Sequence, residues 1–149
     1  MTAHVLEPAL DEERPASLSK AIITDLLRRE LQYPGVILSD DLEMKAIAAG
    51  YKVPEAAVMA IEAGCDGALI CSGDHATQVA ALEALIHAVE QERIPYSRIE
   101  DALSRQRRAR QRFLASPVAV PKPPTGRALR QLLGRDEHRA VADEMARYL

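Results

Sequence analysis

Two adjacent carboxylates, Asp40 and Asp41, stand within the stretch Gly35-Val36-Ile37-Leu38-Ser39-Asp40-Asp41-Leu42-Glu43-Met44. The aliphatic run Val36-Ile37-Leu38, entered from Pro34-Gly35, predicts a short strand over Val36–Ser39 that is buried on both faces. At the C-terminal end of a strand in a parallel sheet or barrel, a side chain points into the ligand crevice. A core strand gains nothing from paired carboxylates there, because they repel one another and each resists desolvation. Chemistry is therefore expected at Asp40, with Asp41 capping a helical turn over Leu42–Ala49.

Other polar candidates are fewer. His4 falls near the C-terminal end of the short apolar segment Met1–Val5, where it lines the same pocket or serves as a satisfied structural histidine. His75 beside Asp74 is better read as part of a helix start, with Asp74 as the cap. His87 and His138 fall on predicted helix surfaces with no constellation around them. Cys65 and Cys71 bracket one predicted strand, too far apart along an extended segment to bridge, and match no metal-ligand spacing. Two core thiols in a reducing, cytoplasmic setting are expected, with no metal and no cofactor.

The elements that position these groups alternate in type. Strands are predicted at Thr2–Val5, Val36–Ser39 and Ala68–Cys71. A helix capped by Ser19 runs to Leu31, with Ile22, Ile23, Leu26, Leu27 and Leu31 on one face. Pro54 opens a helix that closes on Gly64, and Asp74 opens another with the stripe Val79, Leu82, Ile86 and Val89. Ser97-Arg98-Ile99-Glu100 has the form of a capping box for a helix to about Leu114. This is three consecutive β/α units, whereas a closed barrel takes eight in about 250 residues. The fold class is therefore α/β: parallel strands forming the last three units of a (β/α)8-type barrel over residues 1–115. A Pro-rich linker at 116–124 and a helical tail at 125–149 complete the chain.

Composition narrows the function classes. The 149 residues are 48% hydrophobic and 28% charged, which describes an ordinary globular chain. A formal charge of −3 gives no electrostatic case for nucleic acid or an anionic membrane. Arg105, Arg107, Arg108, Arg110 and Arg112 form a basic run, expected to be a solvated helix face because no aromatic residues interleave with it. No apolar run reaches membrane-spanning length.

The stretch Leu31-Gln32-Tyr33-Pro34-Gly35-Val36-Ile37-Leu38-Ser39-Asp40-Asp41-Leu42-Glu43-Met44-Lys45-Ala46-Ile47 closely resembles the nucleophile segment of family 3 glycoside hydrolases. Asp41-Leu42-Glu43-Met44 favours the bacterial β-N-acetylhexosaminidase branch, since the β-glucosidase branch typically has Trp at the position of Asp41. Met1-Thr2-Ala3-His4-Val5 and Arg14-Pro15-Ala16-Ser17-Leu18-Ser19 resemble the preceding strand and loop, and Ala63–Cys71 resembles the last barrel strand. The resemblance implies a retaining enzyme that removes terminal β-linked N-acetylhexosamine in peptidoglycan recycling, with Asp40 as nucleophile. It gives Met44 a place against the sugar or in the core.

The branch's acid/base, an Asp-His pair after a Lys-His-Phe-Pro-Gly-His-Gly-Asp type motif, has no counterpart in these residues. The chain alone is therefore expected to be inactive, and to self-associate through exposed barrel faces. Two alternatives remain at this level: a receiver-like phospho-acceptor domain, which Lys45 after Met44 argues against, and a non-catalytic interaction remnant.

Overall fold

A computed structural model describes residues 1–114 and 126–148. The chain divides into two compact units, Met1–Ser116 and Pro117–Leu149. In the first unit, strands β1 (Leu38–Asp41) and β2 (Gly67–Leu69) pair in parallel, Leu38 opposite Gly67 and Asp41 opposite Leu69. Three steps along β1 match two along β2, so the pair is irregular between these points. Ser39 explains the irregularity: its buried hydroxyl accepts the Leu69 amide at 3.0 Å. The ladder resumes where Leu42 N donates to Leu69 O at 2.9 Å.

The first predicted strand is absent as such. Met1–Val5 lies beside β1, where Thr2 N donates to Leu38 O at 2.9 Å, but no further ladder bond joins them among the described residues. The carbonyl of Asp41 is taken instead by the His4 side chain. β1 also lies two residues later than Val36–Ser39, so both aspartates belong to it.

Helix α2 (Val53–Ala63) packs against β2 on one side and against helix α3 (His75–Glu90) on the other. Ala56, Ala57, Ala60 and Ala63 are buried on α2, and Ala81 and Ala88 on α3. Small side chains allow the close approach, and Leu18, Ile23, Ile37, Leu42 and Ile47 fill the core between helices and sheet. The predicted stripe of α3 is therefore not its buried face: Leu82 is 60% exposed and Ile86 48%. Gly64 ends α2 at φ +119°, a conformation that favours glycine, and a Cβ there would meet Thr24 Oγ1 at 2.5 Å. The Ala21–Glu30 helix is π-type, with Leu31 N donating to Leu26 O, and Ser19 Oγ accepts the Ile22 amide at its start.

Helix α4 (Tyr96–Leu114) supplies a polar clamp at the foot of the strands. Asp66, immediately before β2, has a fully buried side chain. Its Oδ1 receives Arg98 Nη2 and Arg105 Nη1, each at 3.1 Å, and its Oδ2 receives Arg28 Nη2 and the Ile37 amide. Arg28 also donates to the carbonyls of Tyr33 and Gly35, so the turn entering β1 hangs on the same guanidinium. Burial holds the Arg28 guanidinium below its ordinary pKa, against the pull of Asp66. Arg105 is thus no solvated-face residue as the basic run suggested.

The second unit holds α5 (Gly126–Leu132) and α6 (Asp136–Met145), joined through Gly134 at φ +64°. The expected 116–124 linker lies outside the described residues.

Candidate active site

The tips of β1 and β2 gather the polar groups. Asp40 is half-buried, and its Oδ1 accepts the adjacent Asp41 amide at 2.8 Å. Its Oδ2 has no protein partner among the described residues. Asp41 is more heavily engaged: its Oδ1 accepts the Glu43 amide at 3.2 Å and, across the strands, the Cys71 amide at 3.2 Å. Asp41 therefore does not cap helix α1 (Lys45–Ala48), whose N-cap residue is Met44 and has no side-chain cap. It ties two loops instead, because the later start of the helix leaves its carboxylate nearer to Glu43 and Cys71. Glu43 repeats the pattern, accepting the Ser72 amide at 2.7 Å.

His4 is committed on both ring nitrogens. Nε2 lies 2.8 Å from the Asp41 carbonyl, which can only accept, so this nitrogen carries a proton. Nδ1 lies 2.5 Å from Ser17 Oγ. The ring joins the Met1–Val5 segment, the Ala16–Leu18 turn and the β1 tip. Met44 is 45% exposed on the same loop, and so not a core residue.

The remaining expectations separate cleanly. Asp74 caps α3 through the Ala76 and Thr77 amides, while His75 is exposed beside it. The cap holds the Asp74 carboxyl below the usual range, chiefly through Thr77. His87 pairs with Glu90 at 3.0 Å on the exposed side of α3, and His138 is exposed on α6. Cys65 is buried, its thiol pushed up to about 11 by desolvation. Cys71, expected in the core, is exposed at the β2 tip. Partial desolvation and then the Asp41, Glu43 and Asp40 carboxylates raise its thiol above the ordinary value.

Among the described residues, Asp40, Asp41 and Glu43 form no ion pair, and no cluster of His, Cys, Asp and Glu could hold a metal ion. No helix among them is long and apolar enough to cross a membrane. Sequence reasoning missed Glu43 and Ser72 as a loop tie. Their spacing carries no pattern, since the contact forms only when two strands pair.

Residues 1–109 match the model of the glycosyl hydrolase family 3 N-terminal domain, and the chain belongs to that family. This overturns the receiver-like alternative. A β-hexosaminidase of Idiomarina loihiensis is 41% identical over 92 residues, which are 62% of this chain and 27% of that protein. A β-hexosaminidase of Tolumonas auensis is also 41% identical, over 106 residues, 70% of this chain and 29% of that one. Among solved structures, a family 3 β-N-acetylglucosaminidase from Paenibacillus sp. FPU-7 superposes with a TM-score of 0.72 at 49% identity. That match covers 75% of this chain and 21% of the Paenibacillus chain. The chain thus spans between about a fifth and a third of the length of these relatives.

Proposed function

We propose that this chain carries the nucleophile-bearing, late β/α portion of the barrel of a retaining glycoside hydrolase acting on terminal β-linked N-acetylhexosamine. Asp40 is the nucleophile. The observation that carries this reading is the unequal engagement of the paired carboxylates at the β1 tip. Asp41 is held by amides from two different loops, whereas Asp40 accepts only its neighbour's amide and keeps Oδ2 open.

In the reaction, Asp40 Oδ2 attacks the anomeric carbon while the glycosidic bond breaks and the leaving oxygen takes a proton from an acid. Water then displaces Asp40 from the glycosyl ester, with net retention. His4 cannot supply that acid while both its nitrogens are engaged, so its role is to hold the Asp41 peptide and with it the β1 tip. Met44, exposed on the same loop, is placed to contact the sugar.

The acid/base belongs to the part of the relatives' length that this chain does not span, so residues 1–149 alone do not turn over substrate. The free thiols of Cys65 and Cys71 suit a reducing cytoplasm, where peptidoglycan fragments are recycled. The Val79, Leu82 and Ile86 stripe is exposed in the isolated chain.

The test is reconstitution. Fusing the preceding barrel portion of the Paenibacillus enzyme to this chain should restore hydrolysis of an aryl N-acetylglucosaminide, and Asp40→Asn should lower it about a thousandfold or more. A fusion that is active and indifferent to Asp40→Asn contradicts the assignment.

A further inference from the structure

A second surface lies at the opposite end of the strands from Asp40. The turn entering β1 and the C-terminal half of α4 enclose a groove of about 650 Å3, lined by Tyr33, Val36, Arg105, Arg108, Arg112 and Phe113. Arg105, Arg108 and Arg112 fall on one face of α4 by helical spacing. Arg105 is already held by Asp66 and Asp101. Arg108 and Arg112 enter no ion pair among the described residues. Aromatic rings flank these arginines: Phe113 follows Arg112 directly in sequence, and the fold brings Tyr33 to the same groove. Phe113 is 66% exposed beneath the Arg112 guanidinium, which lies 5.3 Å from its ring centre, and Tyr33 stands under Arg28 at 5.8 Å. The groove therefore asks for an occupant that is both acidic and apolar.

The same unit presents such a segment. The loop after Met1–Val5 carries Glu7, Asp11, Glu12 and Glu13 against the single cation Arg14, and its Leu6 and Leu10 are each 48% exposed. The loop is held in shape by its own bonds. Leu10 N and Asp11 N donate to Glu7 O, and Glu13 N and Arg14 N donate to Asp11 Oδ1. Little ordering is then required on docking. Glu12 and Glu13 are exposed and enter no ion pair among the described residues.

Loop and groove cannot meet within one copy. Thr2 lies beside Leu38 and His4 beside Asp41, so the loop leaves from the strand tips, whereas Tyr33–Val36 enters at the feet.

We propose that the groove receives the Leu6–Glu13 loop of a second copy of this chain, joining copies head to tail. Leu6 and Leu10 lie against Tyr33, Val36 and Phe113, while Glu12 and Glu13 face Arg108 and Arg112. A contact between two different surfaces of the same chain is heterologous, so it propagates rather than closing as a two-fold dimer. A nucleic acid is the weaker match for the groove, since the formal charge of −3 repels a polyanion elsewhere on the molecule and Val36 offers an aliphatic wall. The proposal does not depend on the glycosidase reading.

Sedimentation velocity of the full 149-residue chain across a concentration series, at ~0.05 M and ~0.5 M salt, tests it, because screening acts on charge pairing and spares apolar contact. Wild type should associate reversibly, and about tenfold or more weakly at the higher salt. Arg108→Glu with Arg112→Glu, and separately Glu12→Arg with Glu13→Arg, should each weaken association by about tenfold or more. Both pairs are at the surface, and unchanged thermal unfolding confirms that the variants are folded. An equimolar mixture of the two variants should associate again, since each then offers the charge the other's groove or loop needs. A mixture that stays monomeric overturns the proposal, as does association insensitive to salt and to both charge reversals. So does a monomeric wild type that retains a labelled single-stranded oligonucleotide through Arg108 and Arg112.

Discussion

The two ends of the β1–β2 pair solve opposite problems with the same residue type. At the feet, the Asp66 carboxylate is fully buried and surrounded by Arg28, Arg98, Arg105 and a backbone amide. At the tips, Asp40, Asp41 and Glu43 lie close together with no cation among the described residues to neutralise them, and only backbone amides hold them. A carboxylate that stabilises is one whose acceptor sites are filled. One that reacts needs an oxygen left over. Barrel folds commonly divide their ends in this way, with stability at the strand feet and chemistry at the tips.

The largest effect should come from removing the charge at the feet. Asp66→Asn leaves three guanidinium groups around a neutral amide and should cost about 3–5 kcal/mol. A urea denaturation midpoint measures it. Loss below 1 kcal/mol would mean that the arginines relax to solvent and that the clamp is ornamental. Arg105→Ala should cost less than Asp66→Asn, because Arg28 and Arg98 still hold Asp66.

The tips should answer in the opposite sense. Asp40→Asn should leave stability within about 0.5 kcal/mol of wild type, because it breaks no buried pair and relieves repulsion from Asp41. A large loss would show that Asp40 is structural, and would erase the contrast between the ends.

The smallest effect separates the two cysteines. Cys71 should alkylate in the native chain, while Cys65 should react only on unfolding, as mass mapping after iodoacetamide treatment would show. Because partial desolvation and then the nearby carboxylates raise the Cys71 thiol pKa, less thiolate is present at neutral pH. Its alkylation rate should therefore climb at higher pH than that of a free thiol, and Asp41→Asn should speed it a few-fold.

The position of Asp40 at the strand tip was legible in the residues, but the ties of Asp41 to Cys71 and of Glu43 to Ser72 were not, and little of the foot was. Asp40 could be placed because an aliphatic run followed by a carboxylate marks a strand tip whatever the partners are. The cap at Asp74 was legible because its donors lie within three residues. Asp66 was not, since its cations stand 32 to 39 residues away and sit inside patterns with simpler local readings. Arg98 falls in an apparent capping box and Arg105 in an apparent solvated run. The exposed stripe on α3 misled for a related reason. Periodicity marks which residues share a face, but the alanines on the adjacent face let α2 approach more closely.

The central claim is that Asp40, and not Asp41, is the reacting group, and covalent trapping tests it most directly. In the barrel restored with its upstream portion, a 2-fluoro glycosyl reagent should leave its label on the peptide containing Ser39-Asp40-Asp41, with fragmentation placing the mass on Asp40. Asp41→Asn should slow labelling without moving it, since the loop tie weakens while the nucleophile remains. Label on Asp41, or an active enzyme that labels at neither residue, would contradict the account.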